Sequence, residues 1–169
     1  MLKIGMLTSG GDCQGLNAAL RGVAKTLYNE LGDKVTIYGI RDGYRGLIEG
    51  DYHEMLPEDF SDILTIGGTI LGTSRQPFKE MRKTTEDSEE TKLDKMLRTV
   101  KKAGFDCLVI LGGNGTHKTA NLLSSKGVNV VTLPKTIDND LWGTELTFGF
   151  QSAIDIASTV IDSIHSTAF

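Results

Sequence analysis

Cysteine, proline and aromatic residues are all scarce in this chain: 169 residues include 2 cysteines and 3 prolines, and 7% are aromatic. The two cysteines, Cys13 and Cys107, stand far apart and in no Cys-x-x-Cys or Cys/His spacing, which excludes a disulfide framework and a cysteine zinc site. His53, His117 and His165 are scattered without ligand spacing, so a histidine metal centre is not expected. With few aromatics, the core must be built from Ile, Val, Leu, Met and Ala, as in layered α/β folds rather than sandwiches, and the single tryptophan, Trp142, is expected to serve packing. Positive charge is not in excess either. A formal net charge of −4 argues against the broad basic surface of a nucleic-acid binder and leaves room for a small anionic ligand. No apolar run approaches the ~18 residues of a membrane span. The start at Leu2, Ile4, Met6 and Leu7 lacks a basic leader and a small-residue cleavage site, so a cytosolic protein is expected.

What the chain has in excess is glycine, 20 in 169, about 12% against an average near 7%. These glycines fall at specific places. An apolar run, Leu2 to Leu7, ends in Thr8-Ser9-Gly10-Gly11-Asp12, the profile of a buried strand meeting a glycine turn. Leu16, Ala19, Leu20, Val23, Ala24, Leu27 and Leu31 then form one helical stripe that stops at Gly32. A second strand is expected over Val35 to Ile40, and a turn over Arg41 to Gly46. The stretch from Asp51 to Arg75 is harder to read, with a short helix near Pro57 and a glycine turn at Gly67-Gly68. The mixed charges from Lys79 to Thr91 suggest a solvated loop. Leu93, Met96, Leu97 and Val100 mark a helix ending near Gly104. A buried strand from Cys107 to Leu111 meets a third glycine turn, Gly112 to Gly115, and Thr116 is placed to cap the next helix. Val128 to Leu133 is another strand, leading into a Pro134 to Asp140 loop. Phe150, Ala153, Ile154, Ala157, Ile161 and Ile164 define a last amphipathic helix.

Apolar strands alternating with helices, each followed by a Gly- or Asp-rich loop, predict an α/β fold with a doubly wound, mainly parallel sheet and helices on both faces. In such folds ligands bind beyond the carboxyl ends of the strands, where these loops lie. The first loop fails as a dinucleotide fingerprint, because Asp12 occupies the middle glycine of GxGxxG. The third fails as a Walker A loop, because His117 precedes Lys118-Thr119. Both remain strand-to-helix turns that offer backbone N–H groups and a positive helix end to phosphate, or plain turns. In PKTIDND, Asp138 and Asp140 follow a strand with Lys135 before them. That supplies a base, a metal-binding acid and a cation, the parts that phosphoryl transfer to an alcohol needs; read in isolation, such a stretch is more often an Asx-turn with Lys135 solvated.

In combination, LTSGGD, GLNAALRG, RDGYRGL, GGTILGTSR, GGNGT and PKTIDND resemble the N-terminal part of the phosphofructokinase family, in that family's order and spacing and over essentially the whole chain. The resemblance implies phosphoryl transfer to the 1-hydroxyl of fructose 6-phosphate. It makes Asp138 the base, with Thr136 and Ile137 lining the sugar's C1 end and Asp140 supporting the metal. Lys135 counts among the catalytic group. Arg75 would contact the donor phosphates, with Gln76 beside it, and Gly10 would offer its N–H to the transferring group. Tyr44 would lie beside the nucleotide base. Gly113, Asn114, Gly115 and Thr116 would cradle the donor, with Asn114 and Asp140 on Mg²⁺.

The chain departs from the family pattern at several positions. Asn114 stands where the family usually has aspartate, which removes a negative charge from a magnesium ligand. Gly115 favours ATP, because an acid there would crowd and repel the α-phosphate, whereas Lys135 is the residue of pyrophosphate users. The reading is ATP, with pyrophosphate as the alternative donor and a non-catalytic nucleotide-binding module as the alternative of another class. On the first helix Arg21 matches a family effector arginine and Lys25 replaces the second, without its bidentate fork. Family subunits are roughly twice this length, so residues 1–169 are expected to form the donor-binding part. The 6-phosphate pocket and a homo-oligomer interface would then lie outside it. A chain so shortened is expected to be inactive alone and to expose apolar surface.

Overall fold

A computed structural model describes residues 1–85, 88–165, 167 and 168. The elements in chain order are β1 (Leu2–Ser9), α1 (Leu16–Leu31), β2 (Val35–Ile40), α2 (Tyr44–Glu49), β3 (Tyr52–Met55), β4 (Thr84–Thr85), β5 (Ser88–Thr91), α3 (Lys92–Ala103), β6 (Cys107–Gly112), α4 (Asn114–Ser124), β7 (Val130–Thr136), β8 (Phe148–Gly149) and α5 (Phe150–His165). Six strands form one sheet in the order β3-β2-β1-β6-β7-β8, and β4 pairs with β5 as a separate ribbon. All neighbours in the large sheet run parallel except β3, which closes the edge antiparallel to β2. The doubly wound reading therefore holds.

Alternation along the central strands builds two cores. Ile4 and Met6 of β1 and Cys107, Val109 and Leu111 of β6 face α1, where they meet Leu16, Leu20 and Ala24. On the other face, Leu7 of β1 and Leu108 and Ile110 of β6 meet Tyr44 and Leu47 of α2, Met96 of α3 and Leu123 of α4. Strands covered on both sides must be apolar at every position, which is why they read as continuous runs. The helix ends follow local chemistry. Thr91 caps α3, its hydroxyl accepting the Asp94 N–H while the Asp94 carboxylate accepts the Thr91 N–H, both at 3.1 Å. That bonding holds the Asp94 carboxyl below its usual range. The same helix stops at Gly104 in the left-handed region, with Lys101 and Lys102 against its negative end.

Several expectations need correction. The turn placed at Arg41 to Gly46 runs directly into a helix, α2, and β3 follows it, because short elements whose partners lie in the sheet carry little periodicity of their own. Part of the Lys79 to Thr91 loop forms the β4–β5 ribbon, and Glu86 and Asp87 of that stretch lie outside the described residues. Thr116 does not cap α4, which begins at Asn114 with Gly113 as its cap residue; its hydroxyl instead donates to the Ser9 carbonyl at 3.3 Å. Strand β7 extends through Lys135 to Thr136 because β8 pairs alongside it there. Trp142, expected in packing, is fully exposed. Helix α5 forms where its stripe predicts, but none of its residues is buried. Ile154, Ile156, Val160, Ile161 and Ile164 are 40–63% exposed, and Val131 of β7 is exposed as well.

Candidate functional site

From β1 the chain winds outward to β2 and β3, then returns to the opposite side of β1 as β6 and continues to β7 and β8. The direction of winding reverses between β1 and β6, whose carboxyl ends lie level, Ser9 opposite Gly112. At such a reversal the two following loops splay apart and leave a crevice. Here a cavity of about 550 Å³ opens there, lined by the Gly10-Gly11-Asp12 turn, Arg75 and Gln76, the first turn of α4 and the end of β7 with the loop beyond it. The first and third glycine turns thus converge on one place.

Lys135 decides the character of this cavity. It is 5% exposed, the one charged side chain among the described buried residues, and its ammonium donates to the Gly11 carbonyl. No carboxylate forms an ion pair with it among the described residues. An ammonium buried without a counter-ion is unfavourable, so the arrangement calls for an anion. The start of α4 points the same way. Gly113 provides no side-chain cap, so the leading N–H groups of a helix rooted in the cavity are left for a ligand, at the positive end of its dipole. Arg75 is exposed on the same wall, with Nη2 3.8 Å from where a Cβ on Gly11 would stand.

Asp138 and Asp140 line the same cavity and are exposed. The residue between them fixes their loop. Asn139 adopts φ 52°, a left-handed conformation that asparagine tolerates better than most residues. Its Nδ2 donates to the Glu145 carbonyl at 3.1 Å and its Oδ1 accepts the Thr147 N–H at 3.0 Å. The buried Thr147 hydroxyl donates in turn to the Thr136 carbonyl at 2.8 Å. Thr136 and Ile137 line the cavity beside the carboxylates.

The structure gathers Gly10, Arg75, Gln76, Gly113, Asn114, Gly115, Thr116, Lys135, Thr136, Ile137, Asp138 and Asp140 around one space, and it leaves out one residue. Tyr44 does not reach the cavity. Its ring is 1% exposed in the core, and its hydroxyl donates to the Thr116 carbonyl at 2.8 Å, so it anchors the first turn of α4 from behind instead of lying beside a base. Burial pushes that hydroxyl well above the usual tyrosine range, so it stays a donor. Gly10 needs a correction of role. Its N–H already donates to the Ser74 carbonyl at 3.2 Å, whereas the Gly11 N–H, one residue on, has no partner among the described residues. With φ 94°, Gly10 makes the turn that presents it.

Three supports were not foreseen: Asn139 with Thr147, Asn17 and Thr8 on the backbone of the segment that leads to Arg75, and Lys92. Lys92 donates to Gln76 Oε1 at 2.9 Å while paired to Glu80 at 3.4 Å. A lysine opening a helix is an ordinary surface residue in sequence, and nothing there marks the contact. Cys13 also lines the cavity; burial pushes its thiol up, with Lys135 acting against that, which works against a thiolate there.

Among the described residues no three His, Cys, Asp or Glu side chains are grouped to hold a metal unaided. Magnesium is commonly held by one or two carboxylates, several waters and the substrate's phosphates, and the Asp140 carboxylate with the Asn114 amide oxygen, both on the cavity wall, fits such a donor set. No described helix is long and apolar enough to cross a membrane.

Comparison with known proteins agrees with this fold. A family model described as phosphofructokinase matches residues 3–169. The ATP-dependent 6-phosphofructokinase of Spirochaeta thermophila is 58% identical over 97% of this chain and 45% of its own length. ATP-dependent 6-phosphofructokinase 3 of Bacteroides thetaiotaomicron is 48% identical over 99% of this chain and 48% of its own. The solved phosphofructokinase of Saccharomyces cerevisiae superposes with a TM-score of 0.86 at 28% identity, over 99% of this chain and 24% of that one. The chain thus spans about half the length of the curated relatives it matches.

Proposed function

Because this chain belongs to the phosphofructokinase family, we propose that it forms the donor side of a site that moves a phosphoryl group from ATP to the 1-hydroxyl of fructose 6-phosphate. One observation carries the proposal: a buried lysine without a carboxylate partner among the described residues, an uncapped helix start and two exposed carboxylates line a single cavity. The cations and N–H donors suit the donor's phosphates, and the carboxylates suit a hydroxyl that must lose its proton. In this reading the N–H groups of Gly11, Asn114 and Gly115 and the Lys135 ammonium bind phosphate oxygens, and Arg75 follows the charge on the group in transit. Asp138 takes the proton of the sugar hydroxyl as its oxygen bonds to phosphorus. The bond from that phosphorus to the bridging oxygen breaks, and the oxygen leaves on ADP. Asn139 holds the loop so that Asp138 needs no reorganisation during the step. When bound, Mg²⁺ would be held by Asn114 and Asp140 with the phosphates and would neutralise charge on the donor.

ATP is favoured as donor by Gly115, where a side chain would project into open space that an α-phosphate can use, and by the names of the relatives. Lys135 supports a second reading, in which pyrophosphate is the donor and the ammonium takes its terminal charge.

The test uses the full-length protein, assayed with fructose 6-phosphate and either saturating ATP or pyrophosphate. The expected result is a higher kcat/KM for ATP and a loss in kcat on the order of 10²-fold or more for Asp138→Ser, the scale of a lost general base. A large pyrophosphate preference overturns the donor. Near-normal turnover of the variant removes Asp138 from its role. Binding of ATP with neither sugar-phosphate binding nor turnover would instead mark a non-catalytic nucleotide module.

A further inference from the structure

The segment from Ile66 to Arg75 has no helix or strand of its own, so its shape is set from outside. Two buried polar side chains hold part of it, and the Asp42 backbone holds it as well, its N–H donating to the Leu71 carbonyl and its carbonyl accepting the Ser74 hydroxyl. Asn17, 3% exposed in the first turn of α1, uses both ends of its amide: Nδ2 donates to the Ile66 carbonyl at 3.2 Å, and Oδ1 accepts the Ile70 N–H at 2.9 Å. Thr8 on β1 is wholly buried; its hydroxyl donates to the Gly72 carbonyl at 2.8 Å and lies 2.9 Å from the Thr69 hydroxyl. Beyond these, Gly10 and the segment exchange two bonds, the Thr73 hydroxyl to the Gly10 carbonyl at 2.7 Å and the Gly10 N–H to the Ser74 carbonyl. Arg75 is the next residue.

An amide on the buried face of α1 and a hydroxyl inside a buried strand occupy places where the packing period calls for apolar side chains. Each is satisfied by the backbone of one loop, and neither lines the cavity. We propose that Asn17 and Thr8 are positioning residues for Arg75. They bind the Ile66 to Gly72 backbone to β1 and α1 so that the guanidinium is carried over the Gly10-Gly11 turn, and they touch neither donor nor acceptor. This rests on the reading of Arg75 as a contact to the donor phosphates.

The experiment is a double-mutant cycle in the full-length protein, read by calorimetric binding of MgATP and by the KM for ATP. Asn17→Ala and Thr8→Val are made in the native sequence and again with Arg75→Ala; Thr8→Ser, which keeps the hydroxyl, is the conservative control. Each of the first two is expected to weaken ATP binding about tenfold, the scale of a lost buried hydrogen bond. Thr8→Ser should restore it. In the Arg75→Ala background both effects should shrink to less than about twofold. Equal losses with and without Arg75 would show that the clamp does not act through it and would overturn the inference. Unchanged ATP binding in Arg75→Ala alone would instead refute Arg75 as a donor contact. Should Asn17→Ala fail to fold, the nearly isosteric Thr8→Val still decides the matter.

Discussion

Replacing Tyr44 by phenylalanine removes one oxygen atom and separates two roles for this side chain. The ring is packed in the core and Phe fills the same space, so no cavity opens beyond the missing oxygen. What is lost is the 2.8 Å bond to the Thr116 carbonyl. That carbonyl belongs to the first turn of α4 and keeps its partner in the helical ladder, so the cost is that of one buried neutral hydrogen bond, about 1–2 kcal/mol. For a domain of this size each kcal/mol lowers the melting midpoint by roughly 2–4 °C, so Tyr44→Phe should melt about 2–8 °C below the native protein. Because burial holds the hydroxyl protonated, the difference should be the same from pH 6 to about pH 9. The N–H groups of Asn114 and Gly115 would be held a little less firmly, so the Kd for ATP should rise by less than about threefold. Urea unfolding gives the stability and calorimetry the affinity. An unchanged midpoint together with a tenfold or greater loss of ATP affinity would place the hydroxyl against the nucleotide and refute the reasoning.

Two further outcomes concern His117 and Gly46. Burial lowers the His117 pKa below 6.5, and its Nε2 is buried with no partner among the described residues. The folded protein therefore holds this proton more weakly than the unfolded chain does. Its stability should be full above 6.5 and fall as pH drops through that value; His117→Gln should flatten the slope of melting midpoint against pH between 7 and 5, and an identical slope would remove His117 as its cause. At Gly46 a Cβ would lie 2.0 Å from the Arg41 carbonyl oxygen and 2.9 Å from that of Asp51, both backbone atoms that cannot rotate away. Gly46→Ala should cost about 3 kcal/mol or more in urea unfolding, and a cost below about 0.5 kcal/mol would mean that α2 does not pack as described.

The central sheet was legible in sequence because β1 and β6 are covered on both faces and leave unbroken apolar runs, each ended by a glycine turn. The positions of most site residues followed, since parallel strands bring those turns to one edge. What stayed hidden depended on partners distant in sequence. Lys135 reads as a loop residue until β8, thirteen positions later, pairs with it and extends β7. Tyr44 reads as a surface aromatic in a polar turn, and only the contact with Thr116, 72 residues away, buries it in the core. Asn17 and Thr8 look like interruptions of apolar stretches because their partners lie 49 to 64 residues further on. The α5 stripe was read correctly as a helix, but periodicity cannot say whether an apolar face is covered, and here it is exposed.

The most direct test of the account is an amide-resolved titration with MgATP, using adenosine as the control without phosphate. The account predicts that ATP shifts the amide signals of Gly11, Asn114, Gly115 and Thr116, that adenosine leaves them in place, and that Lys135→Met weakens the ATP-induced change by about tenfold or more. ATP-induced shifts confined to other surfaces, such as the groove between Gly22 of α1 and Leu133 of β7, with these four amides unmoved, would contradict it.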